Sequence, residues 1–501
     1  MSKVGGLVLS RCSLWLSMIG VAGGLALAAL TGCGSALADA GSHAQGGTNA
    51  ASAPKQAAAS HRARPSAAAS PRAKGTAVAQ QHVADRTQRR TKAAVATPVA
   101  PIAPPATGGA ALVGTAKPTF AARPTLVNVA ARPTVINVLG TLAFRVFEAF
   151  ENAIVGPPRV PPNSNVEVSS APLAIDCGPG VTVKADWYFP TTGPPPTRLI
   201  LFGHGWPGTG AMYDYTAAAL AERTHSIVVA PTISGNLFDC YGCQIGGEQM
   251  SFAVAQLFLG DRAALTESAR LASGDTELVL PDQFVLAGHS AGSLLAVDSG
   301  GFFEQLAGPD ERDNLVGVLL FDTDSVGGAL ARGLGNIPDT VPVYSISAAP
   351  NLLNSYGGGS QVLAQARPDQ FIGVELVGGT HADSLQSSNP LVQFGGQLAG
   401  GGLASAQNAR AAQDLAVGWI NDWFAGTHDG VYGELGSTID ISTMAGIARA
   451  HILPVPAVAL DFFQSLSLKL LESLVLLKAL QVCAAPIDIS GAAPAASACS
   501  V

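Results

Sequence analysis

The sequence predicts an α/β fold for residues 165–425, with a mostly parallel central sheet and helices on both faces. Three observations predict it. Short apolar runs alternate with stretches of helical periodicity through this region, which is the rhythm of parallel strands joined by crossover helices. One apolar run, Phe284-Val285-Leu286-Ala287, passes directly into Gly288-His289-Ser290-Ala291-Gly292 and then into a helical stretch from Ser293. Finally, His204-Gly205, Ser290 and His381 each follow an apolar run. They therefore fall at the carboxyl ends of strands, where the active sites of such sheets gather.

The whole chain sets the bounds. Its 501 residues leave room for two or three domains, and 48% hydrophobic against 13% charged residues supply a large core. The net charge of −7 is unevenly spread: residues 39–125 hold eleven Lys/Arg and two Asp/Glu, so the acids concentrate further on. An acidic body argues against nucleic acid as a partner of the catalytic domain. Residues 1–38 read as a signal peptide or lipoprotein signal, with Lys3 and Arg11 ahead of an apolar run over 14–30. Leu30-Thr31-Gly32-Cys33 resembles a bacterial lipobox, in which Cys33 would be lipidated. Ala36-Leu37-Ala38 fits ordinary cleavage before Asp39, and an uncleaved anchor is the plain alternative. The expected location is outside the cytoplasm, either lipid-anchored in the cell envelope or secreted.

Residues 39–125, rich in Ala, Pro, Ser and basic residues, read as a disordered spacer that cannot bury enough apolar surface to offset its ordering. Its charge serves solvation, and it can also contact a membrane or cell-wall polymer. In the segment 126–164, Val135, Leu139, Leu142, Val146, Phe150 and Ile154 recur at helical spacing, and prolines at 157–158 and 161–162 end the pattern. The expectation is an amphipathic helix packed on the folded domain by that row, with membrane-surface binding as the alternative. Strands are expected over 166–169 and 181–189 as an antiparallel start, then over 198–202, 226–230, 284–287, 315–321, 342–347 and 371–377. Helices are expected over 209–223, 248–272, after Ser293 and over 405–424. The C-terminal extension, 426–501, contains an amphipathic stretch over 458–482 that reads as a docking helix, with a partner in the 134–154 helix.

The remaining cysteines beyond the signal are Cys177, Cys240, Cys243, Cys483 and Cys499. Export permits disulfides. Cys240-Tyr241-Gly242-Cys243 is a lone C-x-x-C with no second pair at metal spacing and no thioredoxin-like setting, so it reads as a structural bridge or as idle thiols. Neither a metal nor a cofactor is expected.

The pattern Gly-x-Ser-x-Gly between strand and helix has a chemical reason. A serine nucleophile must stand at the tip of a tight turn, and glycines on either side allow the close strand-to-helix approach. A plain glycine-rich turn is the other reading. Gly203-His204-Gly205-Trp206 after an earlier strand and Gly378-Gly379-Thr380-His381 after the last complete a set that resembles the α/β-hydrolase superfamily over roughly 165–425. The resemblance is to exported serine esterases and lipases, near the platelet-activating-factor-acetylhydrolase-like and chlorophyllase-like branches. It implies acyl transfer to Ser290, with His381 as base and the N–H groups of Ala291 and Trp206 as oxyanion donors. The Trp206 side chain would wall the acyl pocket or pack in the core.

The acid is the open member. The loop after the strand ending at Ser347 carries no carboxylate, unlike many members of the superfamily. The preceding strand end offers Asp322 and Asp324, and the branches named above use that position. Asp322, first out of the apolar run, is the expected acid; Asp324 is expected to cap the next turn, and Asp383 is too local to reach around the ring. The expected function is hydrolysis of small-molecule or lipid carboxylic esters. An acyltransferase or polyester depolymerase with the same triad is the nearest alternative, and a non-catalytic envelope protein is the alternative from another class.

Overall fold

The computed structural model describes residues 133–475. The signal, the 39–125 spacer, Cys483, Cys499 and the end of the 458–482 stretch lie outside the described residues.

The chain enters through helix α1 (Val135–Val155). Thr134 and Asn137 form a reciprocal capping box, with Asn137 N–H donating to Thr134 Oγ1 at 3.2 Å and Thr134 N–H to Asn137 Oδ1 at 3.0 Å. Strands β1 (Val166–Ile175) and β2 (Val181–Pro190) then pair antiparallel. A parallel series follows: β3 (Leu199–Gly203), α2 (Asp214–Thr224), β4 (Ile227–Pro231), α3 (Glu248–Gln256), α4 (Ala263–Ser273), β5 (Phe284–His289) and α5 (Ala291–Leu306). It continues with β6 (Leu315–Phe321), α6 (Ala329–Asn336), β7 (Val343–Ser347), α7 (Gly358–Ala366) and β8 (Gly373–Leu376). Helices α8 (Pro390–Ala399) and α9 (Ala406–Ala425), the hairpin β9 (Thr438–Thr443) and β10 (Gly446–Ile452), and α10 (Phe462–Val475) close the described chain.

All ten strands join one sheet in the order β1-β2-β4-β3-β5-β6-β7-β8-β10-β9. The six strands from β4 to β8 run parallel, and the pairs at the two ends run antiparallel. This is a mixed, mostly parallel sheet flanked by helices, consistent with an α/β-hydrolase fold. Strands β3, β4 and β5 are buried throughout, as expected where helices cover both faces. Alternate residues feed opposite layers: Leu199, Leu201 and Leu286 belong to one apolar cluster, Ile200, Phe202, Val285 and Ala287 to the other.

Four details differ from the sequence expectations. The helix expected over 248–272 is broken in two, because Arg262 turns to φ 50° and its guanidinium donates to the Pro281 and Leu280 carbonyls, at 2.7 and 3.0 Å. The C-x-x-C does not close locally on the Cys243 side; Cys243 is bonded to Cys177 beyond β1, 66 residues away in sequence. Helix α10 packs against the turns at 326–328 and 352–357, and the C-terminal hairpin lengthens the main sheet by antiparallel pairing of β10 with β8. Finally, α1 forms, but its apolar row faces outward. Val135, Leu139, Leu142, Val146, Phe150 and Ile154 are 39–73% exposed, while Asn137 and Phe144 are buried. Among the described residues no helix is long and apolar enough to cross a membrane, and no cluster of His, Cys, Asp or Glu is arranged to hold a metal ion.

Helix α5, which begins beside Ser290, is locked to α6 by an ion pair. Arg332 donates from Nε and Nη2 to the two oxygens of Asp298 at 2.8 and 2.7 Å, and Asp298 is only 1% exposed. Removing the guanidinium strands a buried carboxylate, which costs about 3 kcal/mol or more. Arg332→Met should therefore lower the unfolding free energy by about that amount, and adding Asp298→Leu should restore most of it. Urea melts of the single and double variants measure this; an additive double variant would refute the coupling.

Candidate active site

The site is built from three strand ends. Strand β5 stops at His289, Ser290 takes φ 54° and ψ −121°, and α5 starts at the next residue. That left-handed backbone on a non-glycine residue costs on the order of 1–3 kcal/mol and persists only where its surroundings fix it. They do so here. Ser290 N–H donates to Phe321 O at 3.0 Å, and Ser293 Oγ donates to Gly288 O at 2.6 Å. A methyl group on Gly288 would overlap the Gly292 carbonyl, and one on Gly292 would overlap the carbonyl of Gly203 in β3. Both glycines are therefore required by close backbone approach. Ser290 is left half-exposed above buried neighbours.

Asp322 follows β6 directly, also with positive φ, at 44°. Its Oδ2 accepts from His381 Nδ1 at 2.5 Å. Its Oδ1 accepts from Ala348 N–H at 2.8 Å and from Asn354 Nδ2 at 3.0 Å. Burial pushes the Asp322 carboxyl up, but the His381 hydrogen bond and charge, with Asn354 and Ala348, pull it below the usual carboxylate value. As a carboxylate it accepts from three donors and fixes the His381 tautomer with the proton on Nδ1, leaving Nε2 as the basic nitrogen. The loop without a carboxylate, 348–354, thus supplies two donors to Asp322.

The two other carboxylates have local partners. Asp324 Oδ1 accepts from Val326 N–H at 2.8 Å and caps the turn there, and burial pushes it up to about 6. Asp383 accepts from Thr380 N–H at 3.1 Å and Thr380 Oγ1 at 2.9 Å, again with burial raising it to about 6.

His289 lies inside the serine turn, between Gly288 and Ser290. The structure gives it two hydrogen bonds. Tyr213 OH meets His289 Nδ1 at 2.7 Å and also accepts from Gly205 N–H at 3.2 Å, so the hydroxyl proton points to His289. His289 Nε2–H then donates to the His381 carbonyl at 2.6 Å. The chain Gly205–Tyr213–His289–His381 connects the loop after β3, the serine turn and the histidine loop. Tyr213 and Asn354 carry no motif, so no sequence signal marks them. His204 is also structural: Nδ1–H donates to Gly205 O at 2.9 Å and Nε2 accepts from Ile233 N–H at 3.0 Å.

The amide of Ala291 is the first of α5, so it has no acceptor within the helix. Trp206 lies in the loop after β3, and its indole N–H donates to Gly235 O at 2.6 Å. Among the hydrogen bonds of the described residues, His381 is joined to Asp322 and to His289, and none runs from the Ser290 hydroxyl to His381.

The architecture and these strand ends are consistent with an α/β-hydrolase fold. No family model matches the chain, and no curated protein matches it. Similar solved structures include carboxyl esterase 2 from the mycorrhizal fungus Tuber melanosporum, at 12% identity, covering 56% of this chain and 98% of that one, with a TM-score of 0.36. A hyperthermophilic esterase from the archaeon Pyrobaculum calidifontis aligns at 14% identity over 55% of this chain and 94% of its own, with a TM-score of 0.35. A thermostable esterase from Pseudomonas putida aligns at 14% over 58% and 91%, also at 0.35.

The two buried imidazoles give a pH prediction. Burial, then the nearby His381 charge, pushes His289 from 6.5 down to about 3, and burial pushes His204 down to about 4. Both pKa values are depressed, so the unfolded chain binds protons first. The stability is fully present above about 6.5 and is lost as pH falls toward the folded values. Each histidine should cost on the order of 2 kcal/mol by pH 5. Burial also raises Asp324 and Asp383 to about 6 and Glu151 to about 7, which favours the fold over the same interval. The test is therefore urea unfolding of the wild type and His204→Gln at pH 7 and pH 5. The variant should lose about 2 kcal/mol less over that interval, and equal changes would contradict the assignment.

Proposed function

We propose that the protein is an exported serine hydrolase of carboxylic esters, with Ser290 as nucleophile, His381 as base and Asp322 as the acid that orients it. The observation that carries this reading is the hydrogen bond from His381 Nδ1 to the multiply bonded Asp322 carboxylate, beside the strained turn that lifts Ser290 out of the sheet. His381 Nε2 accepts the Ser290 proton as Oγ bonds to the ester carbonyl carbon. The resulting oxyanion is received by the N–H groups of Ala291 and Trp206. Collapse of the tetrahedral intermediate expels the alcohol, which takes the proton from His381. Water then repeats the sequence on the acyl-enzyme, with His381 again accepting a proton, and releases the acid. Asp322 remains a carboxylate throughout and stabilises the imidazolium.

Two measurements test the assignment. A fluorophosphonate probe should label the wild-type chain, and Ser290→Ala should abolish the label without altering the melting temperature; a label persisting on another serine would move the nucleophile. With p-nitrophenyl esters of graded chain length, Asp322→Asn should lower kcat on the order of 10⁴-fold. Asp324→Asn, whose amide oxygen can still accept from Val326 N–H, should leave both the stability and most of the turnover in place. The opposite ranking would transfer the acid to Asp324.

A further inference from the structure

Helix α1 is amphipathic, and it is docked by the face that periodicity marks as the outer one. Its contacts with the 231–247 loop are polar. Asn137 Nδ2 donates to Phe238 O at 3.0 Å, Asn236 Nδ2 to Thr141 Oγ1 at 2.8 Å, and Ser234 Oγ to Glu148 Oε1 at 2.6 Å. Gly140 lies against the Phe238 ring, where a methyl group would overlap. These are specific contacts, so the outward apolar row is a consequence of how the helix is held.

A second helix with exposed apolar side chains meets the end of α1. The Asn389 side chain, at the start of α8, donates to the Ile154 and Val155 carbonyls at 2.7 and 3.2 Å. Leu391, Phe394 and Leu398 of α8 are 71, 55 and 53% exposed. No charged residue occurs between Asp383 and Arg410. On α1 both carboxylates, Glu148 and Glu151, are half-buried, and Arg145 is the exposed charge. The two helices meet at Asn389, and each exposes apolar side chains with no exposed carboxylate of its own.

We propose that α1 and α8 form a docking face for an anionic lipid bilayer. Two observations select lipid over another protein. The face exposes one charge, the cation Arg145, and no carboxylate, so it offers little of the mixed charge that sets register at a protein interface. In the sequence, α1 is preceded by the basic 39–125 segment, and a basic segment together with an exposed apolar helix gives the two signals that hold a protein on an anionic surface. The face is also joined to the site. The loop under α1 binds the Trp206 indole through Gly235 O, and Gly400, at the end of α8, accepts from His381 N–H at 3.1 Å. Docking would therefore seat the loops around Ser290 at the lipid. That lipid esters are then the substrate rests on the proposed hydrolase reading, whereas the docking does not.

Hydrogen exchange of the full chain, read by mass spectrometry, tests the face separately from any N-terminal anchor. Vesicles of phosphatidylcholine and phosphatidylglycerol in equal parts should slow exchange in 135–155 and 390–399 at least tenfold. A variant with Leu142→Asp, Val146→Asp and Phe394→Asp should lose that protection and keep its melting temperature, since all three side chains are exposed. It should hydrolyse a water-soluble short-chain ester at the wild-type rate and a vesicle-borne ester at least tenfold more slowly. No protection by vesicles would overturn the proposal. So would protection that grows with protein concentration without lipid, which would mean a second copy. Protection in the absence of lipid at every concentration would mean that a segment of this chain covers the face. Because the exchange reads binding and not hydrolysis, and is run on Ser290→Ala so that the vesicle lipids stay intact, failure of fluorophosphonate labelling would leave it untouched.

Discussion

The backbone of α5 touches the backbone of β3. At Gly292 and Gly203 there is no room for a methyl group between helix and strand. From this contact much of the site follows. The chain must leave β5 and enter α5 within one residue, so Ser290 is forced into a left-handed conformation that it would not choose. The Ser290 amide is tied to Phe321 O, the last residue of β6, so the same turn aligns the end of that neighbouring strand. Asp322 then emerges at the level of the serine.

A carboxylate this deeply buried would take up a proton unless the charged form were bonded. Asp322 is provided for from three directions: the histidine, a backbone amide and Asn354. Asn354 is itself held by a reciprocal capping box with Asn351, whose amide donates to Asn354 Oδ1 at 2.8 Å. The orientation of His381 therefore depends on a turn that carries no reactive group. Tyr213 and His289 do the same work from the other side, through the His381 backbone. His381 is thus placed by Asp322 on its ring and by His289 on its carbonyl, and each of these is held in turn by a residue from a further segment, Asn354 and Tyr213.

The strand-and-helix rhythm and the serine turn were legible because they are local. Apolar runs mark buried strands, and the glycines around Ser290 answer a steric requirement that operates within five residues. That Asp322 bonds His381 while Asp324 caps a turn was legible for a similar reason, since the first residue out of a strand stands at the sheet edge and the third is free to cap. Asn354, Tyr213 and the second hydrogen bond of His289 were not legible, because each depends on pairing across loops far apart in sequence. The same is true of Cys177 with Cys243, a link that no spacing rule within the C-x-x-C could suggest. The break at Arg262 depends on carbonyls eighteen and nineteen residues further along the chain.

Helix α1 shows where periodicity stops. A row at i, i+3 and i+4 identifies a helix with two unlike faces; it does not say which face meets the protein. That is decided by the surface on offer. Here the surface is a loop of exposed polar groups and one ring, Phe238, and it matches the Asn, Gly, Thr and Glu positions of the helix. Burying the apolar row instead would have left the Phe238 carbonyl and the Asn236 and Ser234 side chains facing hydrocarbon, at a cost of about 1–3 kcal/mol for each unsatisfied group. Glu151 registers the strain of the arrangement that was adopted: burial, with Glu148 nearby, pushes its carboxyl up to about 7. A helix that accepts this cost to turn leucine, valine and phenylalanine outward needs a cover for them. The preceding basic segment and the uncharged α8 both point to the same one, a surface that is apolar below and anionic at its edge.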